Sequence, residues 1–143
     1  GEGEAASRAR LLERLISQAL RPPLLKLLVT RVHAVITPDD QAYFRSTREK
    51  ALGSSLEAFA DPEAGAVQLK QALAPLDVWL AEQPYLDGDS AGGTDYLVGS
   101  LFFWAWCLGM QPWASDSSVG VWFQRLLEHY QAHCGPVKRA ALN

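Results

Sequence analysis

From Tyr96 to Ser115 the chain carries no charged side chain, and Asp95 to Leu108 is apolar on nearly every helical face. Such a segment does not suit a surface, because a surface helix turns a polar face to water. Either lipid or other helices must surround it. A bilayer demands about 20 consecutive apolar residues. Here Gly99, Ser100, Gly109, Gln111 and Pro112 interrupt a run only as long as a core helix. The segment therefore reads as the buried central helix of an all-α protein, and the rest of the chain must supply its neighbours.

Those neighbours are legible as period-3.6 stripes. Leu11, Leu12, Leu15, Ile16, Ala19 and Leu20 line one helix face, with Ser7 as its candidate cap. Arg21-Pro22-Pro23 predicts a break, since proline disfavours helix before it and can open the next one. A second helix carries Leu25, Leu28, Val32 and Val35 up to Thr37-Pro38-Asp39-Asp40, a restart signal. A third runs through Phe44, Leu52, Leu56 and Phe59 to Asp61-Pro62, with Gly53 its weak point. The fourth bears Leu69, Leu73, Leu76 and Leu80, with Pro75 expected to kink or split it. After a turn-rich loop from Pro84 to Asp89 and the central helix, a last stripe holds Val119, Trp122, Phe123, Leu126, Leu127 and Tyr130 and closes at Gly135-Pro136. No alternating strand pattern occurs, so the expected architecture is an all-α bundle of about six helices in a single domain, residues 1–143.

Composition narrows the function. With 48% hydrophobic and 20% charged residues, the chain is an ordinary folded protein. Its 13 basic and 16 acidic side chains form no run able to track a phosphate backbone, which excludes nucleic acid as an expected partner. Cys107 and Cys134 imply no disulfide framework. Gly1-Glu2-Gly3-Glu4 lacks the basic-then-apolar start of a secretory signal. No membrane partner and a cytoplasmic location are the expectations.

Several constellations could carry chemistry. Gly88-Asp89-Ser90-Ala91-Gly92 matches the G-x-S-x-G nucleophile elbow of serine esterases, with Asp116 and then His129 or His133 downstream. An elbow needs a strand before it, however, and Ala81-Glu82-Gln83-Pro84 ends a helix, so a flexible turn is the favoured reading. His129, His133 and Cys134 have metal-compatible spacing but no fixed third ligand. Arg45, Arg48 and Glu49 could meet an anion, yet Arg45 with Glu49 four residues on is equally a surface helix pair. Phe102, Phe103, Trp104 and Trp106 are first of all core, though a core can border a cleft.

Pro84-Tyr85-Leu86-Asp87-Gly88-Asp89, followed by Thr94-Asp95-Tyr96-Leu97-Val98, resembles the signature at the central helix of the glutathione transferase C-terminal domain. There the aspartate belongs to an N-terminal capping box, the role the resemblance implies for Asp95 as structural N-cap. The family's Ser or Thr three residues earlier is here Gly92, which offers no side-chain acceptor. The run from Tyr43 to Gly53 with Leu56-Glu57 is similar to the branch of β-etherases and the ustiloxin-pathway transferase.

This resemblance implies a helical domain that walls the pocket of a hydrophobic electrophile. Glutathione would be held and activated by a thioredoxin-like domain absent from this chain, so the chain alone is expected to be inactive and carries no expected catalytic residue. The implied substrate site lies between the first helices of this domain and the absent partner domain, faced by Leu25 to Val35 and by the start of the central helix near Tyr96. Tyr96 is its first candidate, with His33, Val29 and Phe103 beside it, and no metal is expected. The uncovered face is expected to be an apolar patch that drives homodimerisation. The alternatives are a non-catalytic helical ligand-binding or assembly module and, remotely, a serine esterase through GDSAGG.

Overall fold

The computed structural model describes residues 1–140. Six helices follow in order: α1 (Glu2–Val35), α2 (Pro38–Leu52), α3 (Leu56–Phe59), α4 (Pro62–Glu82), α5 (Gly93–Cys107) and α6 (Ser118–Cys134). Among the described residues the only β-type pairing is a bridge between Tyr85 and Gly88. The all-α class and the helix number agree with the sequence reading, but two boundaries do not.

The expected break at Arg21-Pro22-Pro23 is absent, and α1 runs unbroken for 34 residues, about 51 Å. Proline removes a donor but fixes φ near the helical value, so packing can hold the helix where local bonding is lost. That packing is present. Leu20, Leu24 and Leu28 are at most 1% exposed, and α4 lies close against α1 at this point. A Cβ on Gly65 would lie 3.0 Å from the Pro23 carbonyl oxygen and 3.0 Å from Leu27 Cγ. The same reasoning covers Pro75, through which α4 continues with Leu69, Leu73, Leu76 and Leu80 buried on one face.

The second difference is at Gly53, where the expected third helix divides. Gly53 adopts φ 69°, ψ 20° and ends α2 with its N–H donating to the Glu49 carbonyl, a left-handed conformation glycine takes without steric cost. Ser55 then caps the short α3 by accepting from the Ala58 N–H at 3.0 Å. No residue of α2 is buried. What ties it down is polar: Gln41 Nε2 donates to the His33 carbonyl at 3.0 Å, and Arg45 grips Glu57 with both terminal nitrogens at 2.9 and 2.6 Å.

α1 and α4 are antiparallel, with Lys26 Nζ donating to Gln68 Oε1 and the N-terminal half of α1 facing Ala72, Leu76 and Trp79. α5 sits inside, touching α1 on one side and α6 on the other. Phe102 is the aromatic centre, with ring centroids of Trp113, Trp122 and Phe123 at 4.8, 5.2 and 5.9 Å. The chain's last described residues strap the C-terminal end of α5. Arg139 Nε donates to the Trp106 carbonyl at 2.8 Å with its guanidinium over the Trp106 ring, and the Ala140 N–H donates to the Cys107 carbonyl. These bonds satisfy carbonyls that a helix end leaves without partners.

The Arg45 grip on Glu57 yields a pH prediction. Hydrogen bonding from Arg45 holds the Glu57 carboxyl at about 2, below its ordinary 4.5. A depressed acid contributes stability above its unfolded value and loses it as pH falls through the folded one. The wild type should therefore outlast Glu57→Gln in thermal melts at pH 6 and lose that advantage between about pH 4.5 and 2. The pair is exposed, so 1 M salt should shrink the difference at pH 6. A difference independent of pH would mean the carboxyl charge is not what joins α2 to α3.

Candidate functional site

The start of α5 is built around one carboxylate. Asp95 is 0% exposed, and its two oxygens accept four N–H groups. Oδ1 takes the Leu86 N–H at 2.6 Å and the Trp122 indole Nε1–H at 2.8 Å. Oδ2 takes the Gly92 N–H at 3.0 Å and the Asp87 N–H at 3.2 Å. The Gly92 bond is the reciprocal half of a capping box, made from the third residue of the helix back to the cap. The other half needs a side chain that Gly92 does not have. Asp87 supplies it from the loop, its Oδ2 accepting the Thr94 N–H at 3.0 Å. A Cβ on Gly92 would run into that same Asp87 oxygen, so a glycine cap and a borrowed carboxylate require each other.

The loop before α5 is thereby fixed at both ends. Gln83 Nε2 donates to the Tyr85 carbonyl, Trp79 Nε1 donates to the Leu86 carbonyl, and Arg125 of α6 reaches the Pro84 carbonyl. The N-terminus of α6 is held from α4, because Asp77 Oδ1 accepts the Val119 N–H at 2.9 Å beside the Ser117 cap. Trp122, fully buried, is the pin between α6 and Asp95.

Between α5 and α6 lies a cavity of about 300 Å³ walled by Tyr96, Gly99, Ser100, Phe103, Leu126 and Tyr130, among others. Tyr96 is 51% exposed at its mouth. Phe103 stacks on Trp106 at 5.7 Å and meets the Tyr130 ring at 5.0 Å. At the Tyr96 and Leu126 end this cavity adjoins a second hollow, walled by Tyr85, Asp89, Ser90, Ala91 and His129.

Of the four expected ligand contacts, Tyr96 and Phe103 share this cavity, while His33 and Val29 lie elsewhere. Arg31, two residues before His33, donates to the Leu108 carbonyl at the C-terminal end of α5 at 2.8 Å. Tyr96 is at the N-terminal end, about 18 Å away along the helix. α1 and α5 run in the same sense, so the Leu25–Val35 face borders the far half of α5, where Leu25 meets Leu101 and Trp104 around a separate cavity. His33 is half-buried, its ring 6.4 Å from Phe44. Val29 is fully buried and exposes nothing to a ligand.

The esterase constellation does not assemble. Ser90 and His129 border one hollow, yet among the described residues no hydrogen bond joins the Ser90 hydroxyl to the imidazole. Asp116 precedes α6, whereas His129 lies on its twelfth residue, roughly 17 Å of helix away, so Asp116 cannot orient it. No strand precedes Ser90. Among the described residues no three His, Cys, Asp or Glu are grouped to hold a metal ion. Burial pushes the Cys107 thiol up, outweighing the opposing effect of Arg139, so it is no activated nucleophile.

Sequence reasoning missed Asp87, Asp77 and the indole of Trp122, all acting across 7 to 42 residues of chain. A signal for Asp87 existed: a buried helix start with glycine at the cap demands an acceptor from nearby, and Asp87 is in the adjoining loop.

An all-helical domain with a buried central helix begun by such a cap defines a fold class, and the comparisons place the chain within it. The family model described as glutathione S-transferase, C-terminal domain, matches residues 9–133. The chain belongs to that family. Comparison with curated proteins gives no match. No helix of the described residues is long and apolar enough to cross a membrane.

The cap can be re-engineered to test its logic. Gly92→Ser alone should destabilise the domain, because its side chain meets Asp87. Gly92→Ser with Asp87→Ala should recover about 1 kcal/mol or more of that loss in urea unfolding, as the serine hydroxyl replaces the borrowed acceptor. Asp95→Ala, which strands four N–H groups, should cost on the order of 3 kcal/mol or more. A double variant no more stable than Gly92→Ser would rule out Asp87 as the missing half of the cap.

Proposed function

We propose that this domain supplies the apolar substrate wall of a glutathione-dependent transferase of the branch that includes β-etherases. The observation that carries the reading is the cavity of about 300 Å³ between α5 and α6, apolar along Phe103, Leu126 and Tyr130, with the Tyr96 phenol at its mouth. That size lies at the lower end of small-molecule sites, and one polar group beside an apolar wall is how such sites orient a ligand.

Glutathione itself does not fit these residues. The tripeptide carries two carboxylates, and no Lys or Arg lines either hollow of the α5–α6 groove. Its binding and thiol activation are assigned to a thioredoxin-like domain of the complete protein, and this domain's part is to bind and orient the hydrophobic electrophile. A second surface supports such a partner. A predominantly apolar groove of about 380 Å³ runs between α1 and α4, with Leu12, Leu15 and Trp79 each more than 40% exposed. Exposed apolar surface of this kind marks an interface, for the thioredoxin-like domain or for a second copy in a homodimer. The cytoplasm, where glutathione is abundant and thiols stay reduced, is the location this reading implies.

The test uses Ser100→Phe, an exposed helix position bordering the cavity, chosen to fill it without disturbing the core. In the complete protein it should raise KM for a hydrophobic electrophile about tenfold or more and leave glutathione affinity unchanged. The isolated domain should neither bind glutathione resin nor conjugate a standard electrophile. An unchanged KM, or conjugation by the isolated domain, would defeat the proposal.

A further inference from the structure

The α5–α6 groove has two chemically different ends, and the difference specifies a ligand class. Its inner end is the apolar cavity of Phe103, Leu126 and Tyr130. Its outer end, reached past Tyr96 and Leu126, gathers the Tyr85 phenol, the Asp89 carboxylate, the Ser90 hydroxyl and the His129 imidazole. No Lys or Arg lines either end. Arg125, the guanidinium on the neighbouring turn of α6, is directed to the Pro84 carbonyl at 3.0 Å. The carboxylates on either side of Asp89 in sequence, Asp87 and Asp95, are both committed to backbone N–H groups of the cap. Asp89 is bound to none of these and stands exposed at the rim.

We infer that the groove selects an amphipathic cation: an aromatic or apolar body seated against Phe103 and Tyr130, with an ammonium group at the outer end facing Asp89. The inference rests on the proposed substrate wall and adds the charge of what it takes. An ammonium there would have the Asp89 carboxylate and two phenol rings, Tyr85 and Tyr96, in its lining, and such rings attract a cation. It also finds acceptors in the Ser90 and tyrosine hydroxyls. A carboxylate in the same place would face the Asp89 carboxylate with no Lys or Arg in the lining, where the His129 imidazole is the one nitrogen side chain beside it. The attraction is partly screened, because Asp89 is exposed, so it sets preference more than total affinity.

The sequence explains why this end is acidic and hydroxylic. Asp89-Ser90-Ala91 is the stretch of the GDSAGG loop that the helix cap leaves unused. The esterase-like string is thereby accounted for as the rim of a binding groove.

Three naphthalene probes of nearly equal size test the inference by calorimetry or chemical-shift titration of this domain: 2-(1-naphthyl)ethylammonium, 2-(1-naphthyl)ethanol and 1-naphthylacetate. The ammonium should bind at least about fivefold more tightly than the carboxylate at low salt, with the alcohol between them. Asp89→Asn should abolish most of that spread while leaving the alcohol's affinity nearly unchanged. Ser100→Phe should weaken all three. Binding of the alcohol with no preference between the charged probes, or a spread that survives Asp89→Asn, would overturn the charge selection and leave the apolar wall standing. Failure of all three probes to bind would overturn both.

Discussion

The structure depends on a carboxylate placed where water cannot reach it. Asp95 joins the loop before α5, the first turn of α5 and the indole of α6 through four hydrogen bonds from a residue with no exposed surface. Burying a carboxyl group is tolerated only when its acceptor sites are filled, and here they are filled by donors that would themselves be stranded without it. A helix that starts inside a protein must find acceptors for its first N–H groups in the protein, not in solvent. The apolar character of α5 forces it inward, burial of its start forces a cap, and the cap fixes the loop that lines the groove.

Helix periodicity made most of this fold readable, and its two boundary errors have a common cause. Pro22-Pro23 and Gly53 are both breakers in a list of propensities, yet α1 passes through the first and the chain turns at the second. What separates them is tertiary contact. The prolines sit where Leu20, Leu24 and Leu28 are buried and where Gly65 of α4 admits the backbone of α1, so packing outweighs the lost hydrogen bonds. Gly53 ends a helix with no fully buried residue, so little packing opposes its preference for a turn. A propensity read from one sequence carries no information about the partner that decides the contest.

The lining of the α5–α6 groove was legible in part by the same measure. Tyr96 and Phe103, seven residues apart on one helix, present nearly the same face, and the sequence alone suffices to put them together. Val29 and His33 were grouped with them because the resemblance implies a ligand site faced both by the Leu25–Val35 helix and by the start of α5. Because α1 is continuous and runs in the same sense as α5, residues that far along it lie beside the opposite end of α5. The order of elements along the chain does not reveal that sense. Leu126 and Tyr130 came from an amphipathic stripe, which does not show which of its edges borders a cleft, and His129 was weighed only as an esterase or metal residue.

Stability and the shape of the groove are joined in this domain at the loop from Pro84 to Gly92. The carboxylates of Asp87 and Asp95 use this loop's backbone and the first turn of α5 to satisfy each other's surroundings, and the residues left over, Tyr85, Asp89 and Ser90, form the outer end of the groove. A loop of small and polar residues would ordinarily sample many conformations, and fixing it costs about 1–2 kcal/mol per residue in backbone entropy. The buried bonds of the cap offset that cost during folding, before any ligand arrives. The groove is therefore preorganised by the interaction that starts the central helix, and a change that loosens the cap loosens the rim with it. A glycine at the cap and a carboxylate at position 87 thus belong together, because the side chain that completes the helix start also holds the loop that rims the groove.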